Sequence, residues 1–398
     1  MTTTTLAGDA VKASPWGAVG SMAMCVALLI ASEFMPVSLL TPIASDLHAT
    51  EGMAGQAISV SGLFAVATSI LISPIGGRID RRHLLLGLTG VMLASLVLIA
   101  MAPNFFVLMI ARAFLGVTVG GFWALSTATV MRLVPAESVP KALGILFTGN
   151  AVATAFAAPI GSYLGGHIGW RGVFWVMAPL VLINLAWQWI SLPTMPSTGS
   201  SSVSNLVALM KRRNVAIAML AVMLAFAGAF STFTYLRPFL EARAGVTLPQ
   251  LSMLLLGLGL AGFIGTYAAS KLVGRHLRRL LAWLPLALAA VTLAMLGTGH
   301  LLWLLAAVMV LWGTLNSAIP VAWSTWLSEG IKDDPESGGG LMVAAIQLAI
   351  MAGAALGGLL LDHVSLSATW IGGAVLLVLA SLAAGNGHRL LAREESAP

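Results

Sequence analysis

Twelve apolar runs, each long enough to cross a bilayer as a helix, constrain this chain more than any other feature of its sequence. They fall at about 16–41, 53–76, 84–102, 104–131, 139–166, 172–191, 215–240, 248–274, 280–298, 301–328, 339–361 and 367–386, and a spanning helix needs ~20 apolar residues. The runs are near-continuous rather than alternating, which excludes a β-barrel. Only 9% of the residues are charged and 59% are hydrophobic, whereas a soluble domain carries about 25% charged residues. A water-soluble fold could not cover so much apolar surface. The expected fold is an all-α membrane protein, with twelve transmembrane helices in two six-helix, pseudo-symmetric halves. The first run is too long for a removable signal peptide and lacks a small-residue cleavage pattern, so it is expected to be a retained span.

The 20 lysines and arginines orient the helices. With both termini cytoplasmic, 16 of them lie inside: Lys12, Arg78, Arg81, Arg82, Arg132, Lys141, Lys211, Arg212, Arg213, Lys271, Arg275, Arg278, Arg279, Lys332, Arg389 and Arg393. Outside loops keep Arg171, Arg237 and Arg243, and Arg112 stays within a span. Such a bias fixes the orientation and implies a multi-pass membrane protein with both ends inside. It also accounts for the net charge of +6 without nucleic acid, because the basic residues form no aromatic-interleaved face. The longest interruption, Leu192 to Asn214, is rich in Ser, Gly and Pro and ends in Lys211-Arg212-Arg213, a flexible segment anchored at the inner leaflet. Residues 1–191 then read as an N-terminal six-helix bundle, 192–214 as a cytoplasmic linker, and 215–398 as a C-terminal bundle with a short tail. Pro36 follows Glu33 by three residues and Pro238 follows Tyr235 by three, while Trp123 and Trp323 sit about 200 residues apart. These echoes suggest a duplicated unit, an arrangement of secondary transporters. A monomer is expected.

Glu33 is the most informative residue. The other thirteen acidic residues fall in loops, tails or span ends, whereas Glu33 lies well inside span 1. An acid near a helix centre costs on the order of 2.5–3.5 kcal/mol, so it faces a cavity, pairs, or binds protons. Arg112 lies about eight residues from the outer end of span 4, and Glu33 lies at the same depth in span 1. At 1.5 Å per residue both sit roughly 12 Å deep. An ionic or water-bridged relation follows, with a structural pair that never titrates as the competing reading. The one cysteine, Cys25, reads as a buried packing residue.

Polar and aromatic side chains collect on particular spans: Phe122, Trp123 and Asn150 in the first half, and Thr232, Tyr235, Asn316, Trp323 and Gln347 in the second. Amides in hydrocarbon are costly without a partner. As a set they suit a flat, uncharged, hydrogen-bonding ligand; taken singly, each also suits helix packing. In the loop Gly76-Gly77-Arg78-Ile79-Asp80-Arg81-Arg82, Asp80 can accept from helix N-terminal amides or arginine and latch the halves at the inner side, with Arg81 and Arg82 as gating partners. An ordinary solvated basic loop is the alternative. There is no phosphate loop for ATP, no His or Cys spacing for a metal and no nucleophile–base set. Neither a cofactor nor an enzymatic activity is expected.

Several of these stretches resemble a known family. The Gly-Gly-Arg-Ile-Asp-Arg-Arg loop is similar to the signature loop of the major facilitator superfamily, with His83 where a second glycine is usual. Arg112-Ala113-Phe114-Leu115-Gly116 and Ala158-Pro159-Ile160-Gly161 resemble elements of its proton-coupled exporters, the latter with alanine in place of glycine before the proline. Glu33-Phe34-Met35-Pro36-Val37-Ser38-Leu39-Leu40-Thr41-Pro42, Gly120-Gly121-Phe122-Trp123-Ala124, Met131-Arg132-Leu133-Val134-Pro135, Thr234-Tyr235-Leu236-Arg237-Pro238 and Trp323-Ser324-Thr325-Trp326 resemble bacterial purine ribonucleoside efflux pumps of the inner membrane. The first of these is shared with sugar and drug exporters of the same branch. The resemblance implies export of inosine- and guanosine-type nucleosides in exchange for protons, with Glu33 and Arg112 in proton coupling. A sugar or multidrug/proton antiporter is the alternative.

Overall fold

The computed structural model describes residues 15–76, 79–196, 208–299, 301–331 and 335–385, together with Gly387 and Leu390. Of the charge census, Lys12, Arg78, Lys332, Arg389 and Arg393 lie outside the described residues, as does 197–207 of the expected linker. The described elements are α1 (Pro15–Ser38), α2 (Leu40–Asp46), α3 (Glu51–Gly76), α4 (Arg81–Met101), α5 (Phe105–Leu133), α6 (Val139–Ser191), α7 (Arg213–Thr234), α8 (Leu236–Ala244), α9 (Leu248–Thr298), α10 (Leu302–Gly330), α11 (Pro335–His363) and α12 (Leu366–Ala384). A 3-10 turn at Ala136–Ser138 precedes α6. Among the described residues, ten helices are long and apolar enough to cross a membrane. Two of them are double. The 53-residue α6 breaks at Gly169, whose φ of 73° suits a residue without Cβ, and the 51-residue α9 breaks at His276. Each supplies two crossings, which gives the twelve spans.

Local chemistry sets the other boundaries. The Asp80 carboxylate accepts from the Arg82 amide at 2.8 Å and starts α4, Asn104 accepts from Val107 to start α5, and Ser365 accepts from Ala368 to start α12. Thr247 and Gln250 form a capping box at the start of α9.

In the first half α1 packs along α6, α3 along α5, and α4 against both α5 and α6. In the second, α7 packs on α11 and α12, and α9 on α10 and α12. Two seams join the halves, α3 with α11 and α6 with α9. Both need bare backbone, since lipid provides no hydrophobic drive and helices must approach closely. A Cβ on Gly259 of α9 would run into the Ala155 carbonyl of α6, and one on Gly62 of α3 would lie 2.9 Å from Met351 Cβ.

The repeat is real, but its register differs from the expected echoes. Each half's first helix ends in a single non-helical residue before a short helix, Leu39 in one and Tyr235 in the other. Tyr235 therefore corresponds to Leu39 and not to Glu33. Aligning α5 with α10, both 29 residues long, places Trp123 opposite Pro320 rather than Trp323. The echoes were matched on residue type, whereas the helix ends carry the symmetry.

Candidate functional site

Glu33 and Arg112 lie where α1, α3 and α5 meet, 3% and 0% exposed. Pro36 explains the local chemistry. Lacking an N–H, it leaves the carbonyl of Ser32, four residues earlier, without its helical donor. Arg112 takes that carbonyl at 2.9 Å, and its other nitrogens donate to the carbonyls of Ala57 (3.0 Å) and Glu33 (3.3 Å). The guanidinium thus ties α1 to α3 through backbone oxygens. It makes no ion pair with the Glu33 carboxylate, although its charge acts on that group. Gln347, from α11 in the other half, lies near the Glu33 carboxyl without a hydrogen bond to it. The lone acid of the spans therefore sits on the junction between the halves.

Aromatic rings surround the same junction. Phe34, next to Glu33, packs on Phe230 and Phe233 of α7 with centroids 5.6 and 6.1 Å away. Phe233 in turn stacks on Trp312 of α10 at 6.2 Å. Beyond them, away from the linker, Val37, Ile58, Ile350 and Ala354 form a buried apolar plug across the halves. Farther out the contacts turn polar. The Tyr235 hydroxyl donates to the Ala354 carbonyl of its own half at 2.7 Å and lies 3.4 Å from the Gly52 carbonyl of the other, and Asp362 accepts from the Thr50 hydroxyl (2.6 Å) and the Gly52 amide (3.1 Å). Thr41 donates to Glu241 at 2.7 Å, and Arg237 binds both Glu241 and the Ser38 carbonyl. The bonds that cross the halves lie at the face away from the linker, here termed the far face, so Glu33 is sealed from that side.

The remaining expected site residues divide into two groups. Trp123 is half-buried and stacks on Phe147 at 6.0 Å, one turn from Asn150; Asn316 is also half-buried. With Gln347, these residues keep polar or aromatic surface near the junction. Four others are committed elsewhere. Phe122 is wholly buried in the first bundle. Thr232 faces α12, because a Cβ on Gly373 would lie 2.7 Å from its hydroxyl. Tyr235 belongs to the far-face seal, and Trp323 is buried edge-on against Trp326. Phe34, Phe230, Phe233 and Trp312 are not among the expected site residues. The i, i+3 spacing of Phe230 and Phe233 was the available signal.

Asp80, Arg81 and Arg82 act within the first half in this state. The Asp80 carboxylate accepts from the Met195 amide at 2.9 Å, and the Arg81 amide donates to the Met195 carbonyl at 3.0 Å. Arg82 donates to the Trp189 carbonyl at 2.6 Å. Arg132 adds a bond to the Pro196 carbonyl at 2.8 Å. Among the described residues, the Asp80, Arg82 and Arg132 bonds pin the head of the linker to the first half.

A sequence profile of the Major Facilitator Superfamily matches residues 22–337. The chain is 46% identical over 387 residues to the transcription regulatory protein OpdE of Pseudomonas aeruginosa, a match covering 95% of this chain and 96% of that one. It is 40% identical over 379 residues to the purine ribonucleoside efflux pump NepI of Salmonella paratyphi C, again covering 95% and 96%. Its fold is similar to that of a bacterial homologue of the human lysosomal transporter Spinster, crystallised in an inward-facing, unoccupied conformation. That match has a TM-score of 0.72 and 15% identity over 94% of this chain and 98% of the other. At that identity the likeness is one of fold alone.

Proposed function

This chain belongs to the major facilitator superfamily, and from that premise we propose that it exports purine ribonucleosides in exchange for protons by alternating access. The observation that carries the reading is the placement of Glu33. A carboxyl with no compensating ion pair sits at the junction of two halves that must rock past one another, near Gln347 of the opposite half and next to Phe34, whose ring packs on Phe230 and Phe233 there.

In this reading the plug and far-face bonds close one side, and Glu33 exchanges its proton through the linker face. The Lys/Arg bias makes that face cytoplasmic. Protonated, the carboxyl is neutral and can turn its hydroxyl to the nearby Gln347 amide. Deprotonated, it is balanced by the Arg112 charge, and Gln347 is free to bond a ligand. Gln347 would thus make proton and substrate alternate. Asn150, Asn316 and Gln347 offer donors and acceptors for a base edge, and Trp123, Phe34 and Phe230 offer ring faces for a planar base. One charge crossing about 150 mV supplies about 3.5 kcal/mol, enough for a gradient of roughly a few hundred-fold.

The name of the Pseudomonas relative, a transcription regulator, is not carried over. Among the described residues there is no unit outside the membrane bundle to hold nucleic acid. The test is proton-driven inosine flux in reconstituted vesicles. Glu33→Gln, permanently neutral, is expected to abolish accumulation while still permitting inosine exchange. Full gradient-driven accumulation by that variant would end the proton role. Arabinose or chloramphenicol competing where inosine does not would replace the substrate class with sugars or drugs.

A further inference from the structure

The last span of the first half carries a polar stripe that faces into its own bundle. Asn184, Gln188 and Ser191 follow one another at helical spacing along α6, and they are 0%, 0% and 7% exposed. Opposite them stand Ser21 and Cys25 of α1 and Thr89 of α4, all fully buried. At the linker end Ser191 donates to the Ser21 hydroxyl at 3.1 Å. Deeper in, the Thr89 hydroxyl lies 2.7 Å from Gln188 Oε1, 3.0 Å from the Leu85 carbonyl and 3.5 Å from the Cys25 sulfur. Asn184 and Gln188 both lie near that thiol.

Hydrogen-bonding capacity is left over at the deep end. Neither Oδ1 nor Nδ2 of Asn184 has a partner, and Nε2 of Gln188 has none either. Turning the Gln188 amide over does not remove the deficit. It changes which atom faces Thr89, and the atom pointing away stays unpartnered. A buried polar group left in that condition costs about 1–3 kcal/mol, and the fold does not demand one here. Counting back from the ends of α6 and α12, Asn184 corresponds to Leu377. Counting back from Leu39 and Tyr235, Cys25 corresponds to Ala221. Leu377 and Ala221 are both 0% exposed, so the second half closes around hydrocarbon at these positions.

We propose that the first half holds a buried water site between α1, α4 and the last span of α6, seated on the Asn184 amide and the free end of Gln188 beside the Cys25 sulfur. A buried water makes about three hydrogen bonds to polar groups that lack other partners, and these two amides present such atoms on one helix face. The water ties α6 to α1 where lipid supplies no hydrophobic drive between helices. Ser21 and Ser191 extend the polar line toward the linker face, the side from which the site fills.

Cys25 is the one cysteine of the chain and serves as the reporter. The experiment is radiolytic hydroxyl-radical labelling of the full chain in detergent and heavy-oxygen water, read by peptide mass spectrometry. Ionising a bound water releases its radical in place, so a thiol beside it is oxidised without meeting bulk solvent, whereas a dry buried thiol is not. Wild-type Cys25 is expected to take up label at a rate that a bulk radical scavenger leaves unchanged. Ala221→Cys puts a second thiol at the counterpart position in the second half, and that thiol should stay unlabelled. Asn184→Leu with Gln188→Leu removes the seat but keeps the reporter, and labelling of Cys25 should be lost. An unlabelled Cys25 in the wild type overturns the proposal, as does equal labelling of the two thiols or undiminished labelling in the double leucine variant. Suppression by the scavenger also overturns it, because bulk water would then be the source. Should the double variant fail to fold, the contrast between Cys25 and the thiol of Ala221→Cys decides.

Discussion

The two halves share an architecture and differ in where they keep charge. Counting back from Leu39 and Tyr235, Glu33 of the first half corresponds to Ala229 of the second. Counting along α5 and α10, Arg112 corresponds to Met309. Ala229 and Met309 are buried as deeply as the residues they match. The six-helix unit therefore closes perfectly well with a methyl and a thioether at these positions, and the fold does not require the acid or the base. An acid in the membrane interior costs on the order of 2.5–3.5 kcal/mol, a burden only the first half carries. The difference separates what the fold needs from what transport uses.

Arg112→Met, which copies the second half into the first, is the severest break of that comparison. The wild-type arginine makes three hydrogen bonds, one to a carbonyl that Pro36 leaves without a helical donor. Its loss also removes the cation near the Glu33 charge. A destabilisation of about 3–5 kcal/mol is expected, read as a fall in the thermal midpoint of the purified protein. Adding Glu33→Ala should recover part of that loss, because the stranded carboxylate goes with it, but should not restore flux. An unchanged midpoint in Arg112→Met would mean that the first half tolerates the second half's chemistry and that the arginine has no structural role.

The twelve spans were legible because hydrocarbon demands long apolar runs, and Glu33 because a lone acid in such a run stands out. The side on which each residue lies was much harder to read. Lipid is as apolar as a bundle interior, so on span 7 nothing in residue type told the face carrying Phe230 and Phe233 from the face carrying Thr232. Polar residues drew attention there, yet Thr232 serves helix packing and Tyr235 serves the seal. The partner of Arg112 was hidden for another reason. Matching depth pointed to the Glu33 side chain, whereas the vacancy that attracts the guanidinium is a backbone oxygen. Pro36, four residues after Ser32, was its signature. Trp123 and Trp323 misled because equal residue type was taken for equal position.

Tyr235→Phe sharpens the comparison at the hinge, where the first half has Leu39. The phenol of Tyr235 reaches across the halves to the Gly52 carbonyl at 3.4 Å, which Leu39 has no group to match. Removing one such bond costs about 1 kcal/mol, enough to shift the balance between sealed and open far faces about fivefold. A cysteine placed at Ile350, within the plug, should become correspondingly more reactive toward a membrane-impermeant thiol reagent added from the far side. No gain in labelling would show that the seal rests on the plug and the Asp362 and Glu241 bonds without the phenol.

The smallest expected effect concerns how each half ties its own far-face loops. The first uses an ion pair, in which Arg171 binds Asp46 and the Trp170 indole donates to the same carboxylate at 3.2 Å. The second uses a neutral acceptor, with Arg243 donating to the Ser367 hydroxyl at 2.6 Å. Hydrogen bonding from Arg171, and after it Trp170, holds the Asp46 carboxyl below its usual range. A depressed carboxyl stabilises the folded state fully above its unfolded value of about 3.9 and loses that contribution as pH falls through the folded value. Asp46→Asn should therefore lower the thermal midpoint at neutral pH, by the equivalent of about 1 kcal/mol or less for a pair this exposed. The gap to the wild type should close below about pH 4. Ser367→Ala in the second half should show no such convergence, since nothing in that contact titrates. A gap that persists undiminished at acid pH in Asp46→Asn would assign the effect to packing and remove the contrast between the two clamps.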